Sequence, residues 1–142
     1  MKELHLAHGL EETCAVAAAF ADRLQPGDVI ALHGDLGAGK TTFVQALGAA
    51  LGVSRPMTSP TFVISLEYQT KRFTLVHMDL YRLAGPDDLL NIGYSEAIES
   101  GAVVCVEWPS RAGDMIPATA WHVTLMLTDD PDVREICIET DC

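Results

Sequence analysis

A chain of 142 residues suits one ordinary domain with a single core, and 49% hydrophobic against 20% charged residues describes a folded protein, not a disordered one. The formal charge of -11, with only nine Lys and Arg, disfavours unaided binding to nucleic acid or anionic lipid. The longest apolar run, Cys14 to Ala21, falls short of the about 20 residues that span a bilayer, and Glu11-Glu12 stand where a signal peptide carries positive charge. Cys14, Cys105, Cys137 and Cys142 form no C-x-x-C pair and no His-paired zinc spacing, so reduced thiols and a cytosolic (cytoplasmic) location are expected.

In chain order, Leu10 to Leu24 is alanine-rich with acids in its first turn and predicts a helix. Gln25-Pro26-Gly27-Asp28 is a turn, and the apolar run Val29 to Leu32 predicts a strand buried on both faces. A glycine loop follows, then a helix from Thr41 to Leu51 that Gly52 ends. Phe62 to Tyr68 and Phe73 to Asp79 suggest a hairpin, although Gln69-Thr70-Lys71-Arg72 lacks a strong Gly or Asn turn signal. Pro86-Asp87-Asp88 opens a short helical stretch that Gly93 interrupts, and Ala102 to Val106 is another apolar strand ending in Glu107. Trp121 to Leu127 and Val133 to Glu139 read as two strands around Asp129-Asp130-Pro131. No repeat, low-complexity tract or linker divides the chain. These elements predict one α/β domain over residues 1–142, with a mostly parallel buried sheet flanked by helices and antiparallel hairpin additions.

Gly34-Asp35-Leu36-Gly37-Ala38-Gly39-Lys40-Thr41 matches the P-loop pattern G-x-x-x-x-G-K-[ST] at every position. Glycines let the backbone curl until successive N–H groups face a phosphate, and the following helix presents its positive dipole end to the same anion. Lys40 would reach the β- and γ-phosphates, and the Thr41 hydroxyl would ligate magnesium. A preceding buried strand and a following helix are the context that this motif requires. The motif therefore points to a P-loop NTPase-like domain binding ATP with Mg²⁺.

Such a loop needs an acid opposite it, to complete the magnesium shell or orient water. Asp79 and Glu107 each end a predicted strand, where ligands gather in open α/β sheets. Either could bind metal or direct the attacking water. His77 reads as a packed or hydrogen-bonded strand residue, and His33 as structural. Trp108 fits either the core or the lining of the site. The Lys71-Arg72 pair reads as a solvated hairpin turn, with a partner contact as the alternative. No [NT]-K-x-D sequence is present to read guanine, and no second glycine loop or arginine-rich lid stands out.

Four blocks together resemble the TsaE (YjeE) family, the bacterial ATPase of tRNA threonylcarbamoyladenosine biosynthesis. They are Gly34 to Thr42, Ser59-Pro60-Thr61-Phe62, His77-Met78-Asp79-Leu80-Tyr81-Arg82-Leu83 and Val106-Glu107-Trp108-Pro109. The resemblance runs from about Glu11 to Arg134. It implies an ATPase acting with TsaB and TsaD partners, which modify the adenosine next to the anticodon. It further implies Thr41 and Glu107 as magnesium ligands, Lys40 on phosphate and Asp79 at the γ-phosphate, so that Lys40, Asp79 and Glu107 are the catalytic set. Asp35, Leu36, Gly37, Ala38, Gly39, Lys40, Thr41 and Thr42 would cradle the phosphates beside Trp108. Leu10 and Thr13 match the segment near the adenine, Arg134 matches a late nucleotide contact, and Ser59 to Phe62 resembles a switch-like loop. Gly9 departs from the usual Ser or Asp helix cap, and Val133 stands where the family often has Gly.

The alternative reading is a small P-loop phosphotransferase acting on a metabolite, and a third is a nucleotide-gated interaction module. Contact with tRNA is expected only indirectly through the complex, and none with membrane, given the acidic balance.

Overall fold

The computed structural model describes residues 1–35, 37–60 and 64–140. Seven strands form one sheet: β1 (Lys2–His8), β2 (Val29–His33), β3 (Ser65–Gln69), β4 (Thr74–Asp79), β5 (Val103–Glu107), β6 (Trp121–Leu127) and β7 (Val133–Glu139). Their order is β1-β7-β6-β2-β5-β4-β3. The central four, β6-β2-β5-β4, are parallel, while β1 on β7, β7 on β6 and β3 on β4 are antiparallel. The expected α/β architecture with antiparallel additions is thus what forms, the parallel pairing being confined to the centre.

The period-two alternation of buried strands divides the core. Ile30, Leu32, Leu75, Val103 and Cys105 pack beneath α1 (Leu10–Ala21) and α2 (Lys40–Leu51), which contribute Phe20, Phe43 and Leu47. Val29, Val76, Met78, Val104 and Val106 face the opposite side. There they meet α3 (Tyr94–Glu99) through Tyr94, and the 3-10 segments Pro86–Asn91 and Pro109–Met115 through Leu89 and Ala112. β2 and β5, at the centre, are covered on both faces, which explains their unbroken apolar runs.

Several local outcomes differ from the sequence expectation for identifiable reasons. Helix α1 stops at Ala21, not Leu24, because Arg23 N–H and Leu24 N–H bond back three residues to Phe20 and Ala21. Gly9 supplies no side-chain cap; Glu12 Oε1 accepts the N–H of His8, the last residue of β1, at 2.9 Å and ties the first turn of the helix to the end of the strand. The β3–β4 hairpin manages without Gly or Asn because Thr70 Oγ1 accepts the N–H groups of Arg72 and Phe73, both at 3.1 Å. Arg72 is no free turn residue: its guanidinium donates to Ala21 O at 2.9 Å and Leu24 O at 2.6 Å, capping the end of α1. The start expected for β3 at Phe62 lies outside the described residues. Edge strand β1 was absent from the expectation because its apolar Leu4 and Leu6 are exposed and only Ala7 is buried.

The glycine loop leaves β2 hard against β6. Gly34 has φ 144, and a Cβ there would lie 2.5 Å from the Leu125 carbonyl oxygen, a backbone atom in the sheet. Gly34→Ala should therefore cost about 1–3 kcal/mol of stability as backbone strain. A urea or thermal midpoint matching the parent would show that the loop relaxes freely there.

Candidate functional site

Strand alternation and register build the site. In β4, Leu75, His77 and Asp79 share the face under α2; in β5, Val103, Cys105 and Glu107 do the same. Asp79 and Glu107 are register partners at the carboxyl ends of adjacent parallel strands, and Leu32 of β2 pairs with Glu107 on its other side. The loop after β2 turns back over these ends. Gly39 takes the left-handed conformation at φ 102, which allows α2 to begin at Lys40.

One polar group at the start of α2 meets a strand-end acid directly. Thr41 Oγ1 donates to Glu107 Oε2 at 3.0 Å, and Glu107 is 4% exposed. Lys40 Nζ donates to the Gly34 carbonyl at 2.7 Å and lies 3.9 Å from the centre of the Trp108 ring. Trp108 itself has a left-handed backbone, φ 58, and its ring stands 5.0 Å from that of Tyr81. Asp79 is buried, and its Oδ1 accepts the Tyr81 N–H at 3.0 Å.

A cavity of about 470 Å³ opens here, lined by Gly37, Gly39, Lys40, Thr41, Thr42, Asp79, Tyr81, Glu107 and Trp108. A second hollow of about 290 Å³ shares Gly37, Gly39 and Thr42 with it, and is lined further by Ala38, Leu10, Thr13 and Arg134. Residues far apart in sequence and expected at one nucleotide thus lie around two adjoining spaces. The α1 start and the β6–β7 turn meet there because Gly9 N–H donates to Asp132 O at 2.8 Å. Arg134 is anchored through Nη1 to Pro131 O at 2.7 Å. Asp35 is exposed and lines neither space, its carbonyl accepting the Ala38 N–H at 3.0 Å. Leu36, and Thr61 and Phe62 of the switch-like block, lie outside the described residues; Pro60 is buried and its carbonyl accepts the Ile64 N–H.

Some participants were not anticipated. Tyr81 lines the cavity, and its place in the His77 to Leu83 block was the available signal. Gly9, Pro131 and Asp132 line the second hollow, and only tertiary pairing identifies them. His33 and His122 are partners for one another, with Nε2 and Nδ1 2.9 Å apart and rings stacked. Burial, then the neighbouring His122, pushes His33 below the usual histidine range. His5 lies beside Glu3 and His8 beside Glu12. Cys14, Cys105 and Cys137 are free thiols, and burial followed by the Glu107 charge pushes Cys105 up, away from thiolate. No helix among the described residues is long and apolar enough to cross a membrane.

Comparison with known proteins gives the family and the fold. The family model described as threonylcarbamoyl adenosine biosynthesis protein TsaE matches residues 7–136. A Bacillus subtilis (strain 168) protein named tRNA threonylcarbamoyladenosine biosynthesis protein TsaE is 40% identical, covering 89% of this chain and 78% of its own. A Treponema pallidum protein of the same name is 36% identical over 90% of this chain and 93% of its own. The crystal structure of Bacillus subtilis YdiB superposes with a TM-score of 0.77 at 33% identity, covering 97% of this chain and 84% of that one. With a matched segment that includes the glycine loop, both strand-end acids and Arg134, the chain belongs to the TsaE family.

Proposed function

We propose that this chain is the ATP-binding and hydrolysing component of threonylcarbamoyladenosine modification of tRNA, working in the cytosol with TsaB and TsaD. Family membership carries the tRNA-modification role and favours it over the phosphotransferase alternative. The ATPase reading rests on one observation: Lys40, Thr41, Asp79 and Glu107 converge on a single cavity at the start of α2.

The donor set fits magnesium. Thr41 and Glu107 offer a hydroxyl and a carboxylate, hard oxygens held 3.0 Å apart. Among the described residues no three His, Cys, Asp or Glu side chains assemble into a metal cage. Magnesium commonly takes one or two protein ligands and completes its shell from phosphate and water. When bound, it would neutralise charge on the phosphates as the terminal group leaves.

The chain's own residues supply the rest. The loop N–H groups and the start of α2 grip the phosphates, and Lys40 exchanges the Gly34 carbonyl for a phosphate oxygen. The hollow lined by Leu10, Thr13 and Arg134 suits the base and sugar. Two donors already hold Glu107 Oε2 beside Thr41, which supports a metal role for Glu107. Asp79, across the register, is then the residue that orients water at the γ-phosphate. Phosphoryl transfer of this kind depends mainly on positioning and electrostatics, not on covalent chemistry by the protein.

Lys40→Ala should weaken ATP binding about 10- to 100-fold, the scale of a lost charge-assisted hydrogen bond, while the melting transition stays cooperative. Unchanged affinity in a folded variant would remove Lys40 from the phosphate site. Glu107→Gln should lower magnesium affinity about 10- to 100-fold with little change in nucleotide binding in chelator. Coincident magnesium titrations of variant and parent would exclude Glu107 from the metal shell. Turnover by the lone chain should be slow and should rise when TsaB and TsaD are added, because no described arginine projects into the main cavity. Rapid turnover indifferent to those partners would contradict the partner-dependent reading.

A further inference from the structure

The alternation that places Asp79 and Glu107 beneath the glycine loop places His77 there too. His77 is completely buried, and its Nε2 lies 2.6 Å from Glu107 Oε2. The same oxygen accepts the Thr41 hydroxyl at 3.0 Å. The other ring nitrogen, Nδ1, is buried without a hydrogen-bond partner. An ionised carboxylate only accepts, so a hydrogen bond between the two side chains needs the proton on Nε2. A proton on Nδ1 would leave an unpartnered N–H in the core, and orphaned donors are rarer there than under-satisfied acceptors. Geometry therefore assigns the Nε2–H tautomer, with its one donor aimed at Glu107.

We propose that His77 is a positioning residue for magnesium and nucleotide turnover, acting through Glu107 without touching the nucleotide. It pins Oε2 against Thr41, so that Oε1 is the oxygen left for the metal or its water. Without it, a 4%-exposed carboxylate would keep Thr41 as its single hydrogen-bonding side chain among the described residues. A buried carboxylate short of donors turns toward whatever polar group it can reach, and the ligand geometry goes with it. The inference rests on the magnesium-dependent ATPase reading for its consequence, but not for the contact itself.

Two measurements test it. In the parent chain without nucleotide or magnesium, ¹⁵N spectroscopy of the imidazole should show His77 protonated at Nε2, with that resonance shifting in Glu107→Gln. A proton on Nδ1, or a resonance indifferent to Glu107→Gln, would overturn the assignment. The second measurement compares His77→Gln, whose amide nitrogen reaches the Nε2 position, with His77→Leu, which fills the space without a donor. The Leu variant should lose about tenfold or more in magnesium affinity and kcat, with ATP affinity in chelator retained, and Gln should restore most of it. In a Glu107→Gln background, His77→Leu should cost little more, because the contact is already weakened. A folded Leu variant equal to the parent would sink the proposal. So would Gln and Leu variants that fall equally and also lose chelator-state affinity, since that is a packing effect. If the parent's nucleotide binding ignores magnesium, the ATPase reading fails instead, and the tautomer measurement alone then decides the His77–Glu107 contact.

Discussion

A carboxylate buried at the end of a strand has to find hydrogen-bond donors inside the protein, and Glu107 is such a group. Its donors come from two directions: the Thr41 hydroxyl from the first turn of α2, and the His77 imidazole from the neighbouring strand. Meeting both requires β4 and β5 to be parallel, adjacent and in the observed register, and requires α2 to start directly above them. The glycine loop that permits this start is in turn shaped by its approach to β6, where Gly34 admits no Cβ. The helix N-terminus, three parallel strands and the phosphate loop are therefore geometrically dependent on one another.

Backbone strain is concentrated around the same site. Ile64 and Trp108 are the described non-glycine residues with positive φ, at 71 and 58. Such conformations are unfavourable for bulky side chains and persist where surrounding contacts determine them. Ile64 is held because its N–H donates to Pro60 and its carbonyl accepts the Asp79 N–H, bracketing one strand-end acid. Trp108 follows the other acid directly, and its turned backbone accompanies an indole packed between Lys40 and Tyr81. Each acid thus has a strained residue next to it in space or sequence, and of the two Trp108 lines the cavity.

The electrostatic balance also has a local meaning. A net charge of -11 leaves the chain with nine basic residues, and the structure commits several of them internally. Lys40 sits in the site, Arg23 pairs with Glu3, Arg72 caps α1 and Arg134 is tied to the β6–β7 turn. Affinity for a polyanion comes from several free phosphate contacts. These commitments reduce the cations that could supply them, as the proposal of tRNA contact through partners requires.

The P-loop was legible from spacing alone, because phosphate binding by backbone amides demands glycines, a lysine and a hydroxyl at consecutive positions. Both strand-end acids were legible for a similar reason, since an apolar run that stops at a carboxylate marks the carboxyl edge of a buried strand. The sequence also carried the α/β class and the positions of β6 and β7. It could not tell which strands are neighbours, since strand order depends on long-range packing and leaves no local signal. For the same reason, the approach of Leu10, Thr13 and Arg134 to one hollow came from family resemblance and not from periodicity. The His77–Glu107 contact was also out of reach: a histidine on a buried strand has no partner until β4 and β5 are placed side by side. What local chemistry requires, the sequence by itself determined; which distant groups satisfy one another's hydrogen bonds, only the tertiary structure decided, because that depends on register between strands thirty residues apart.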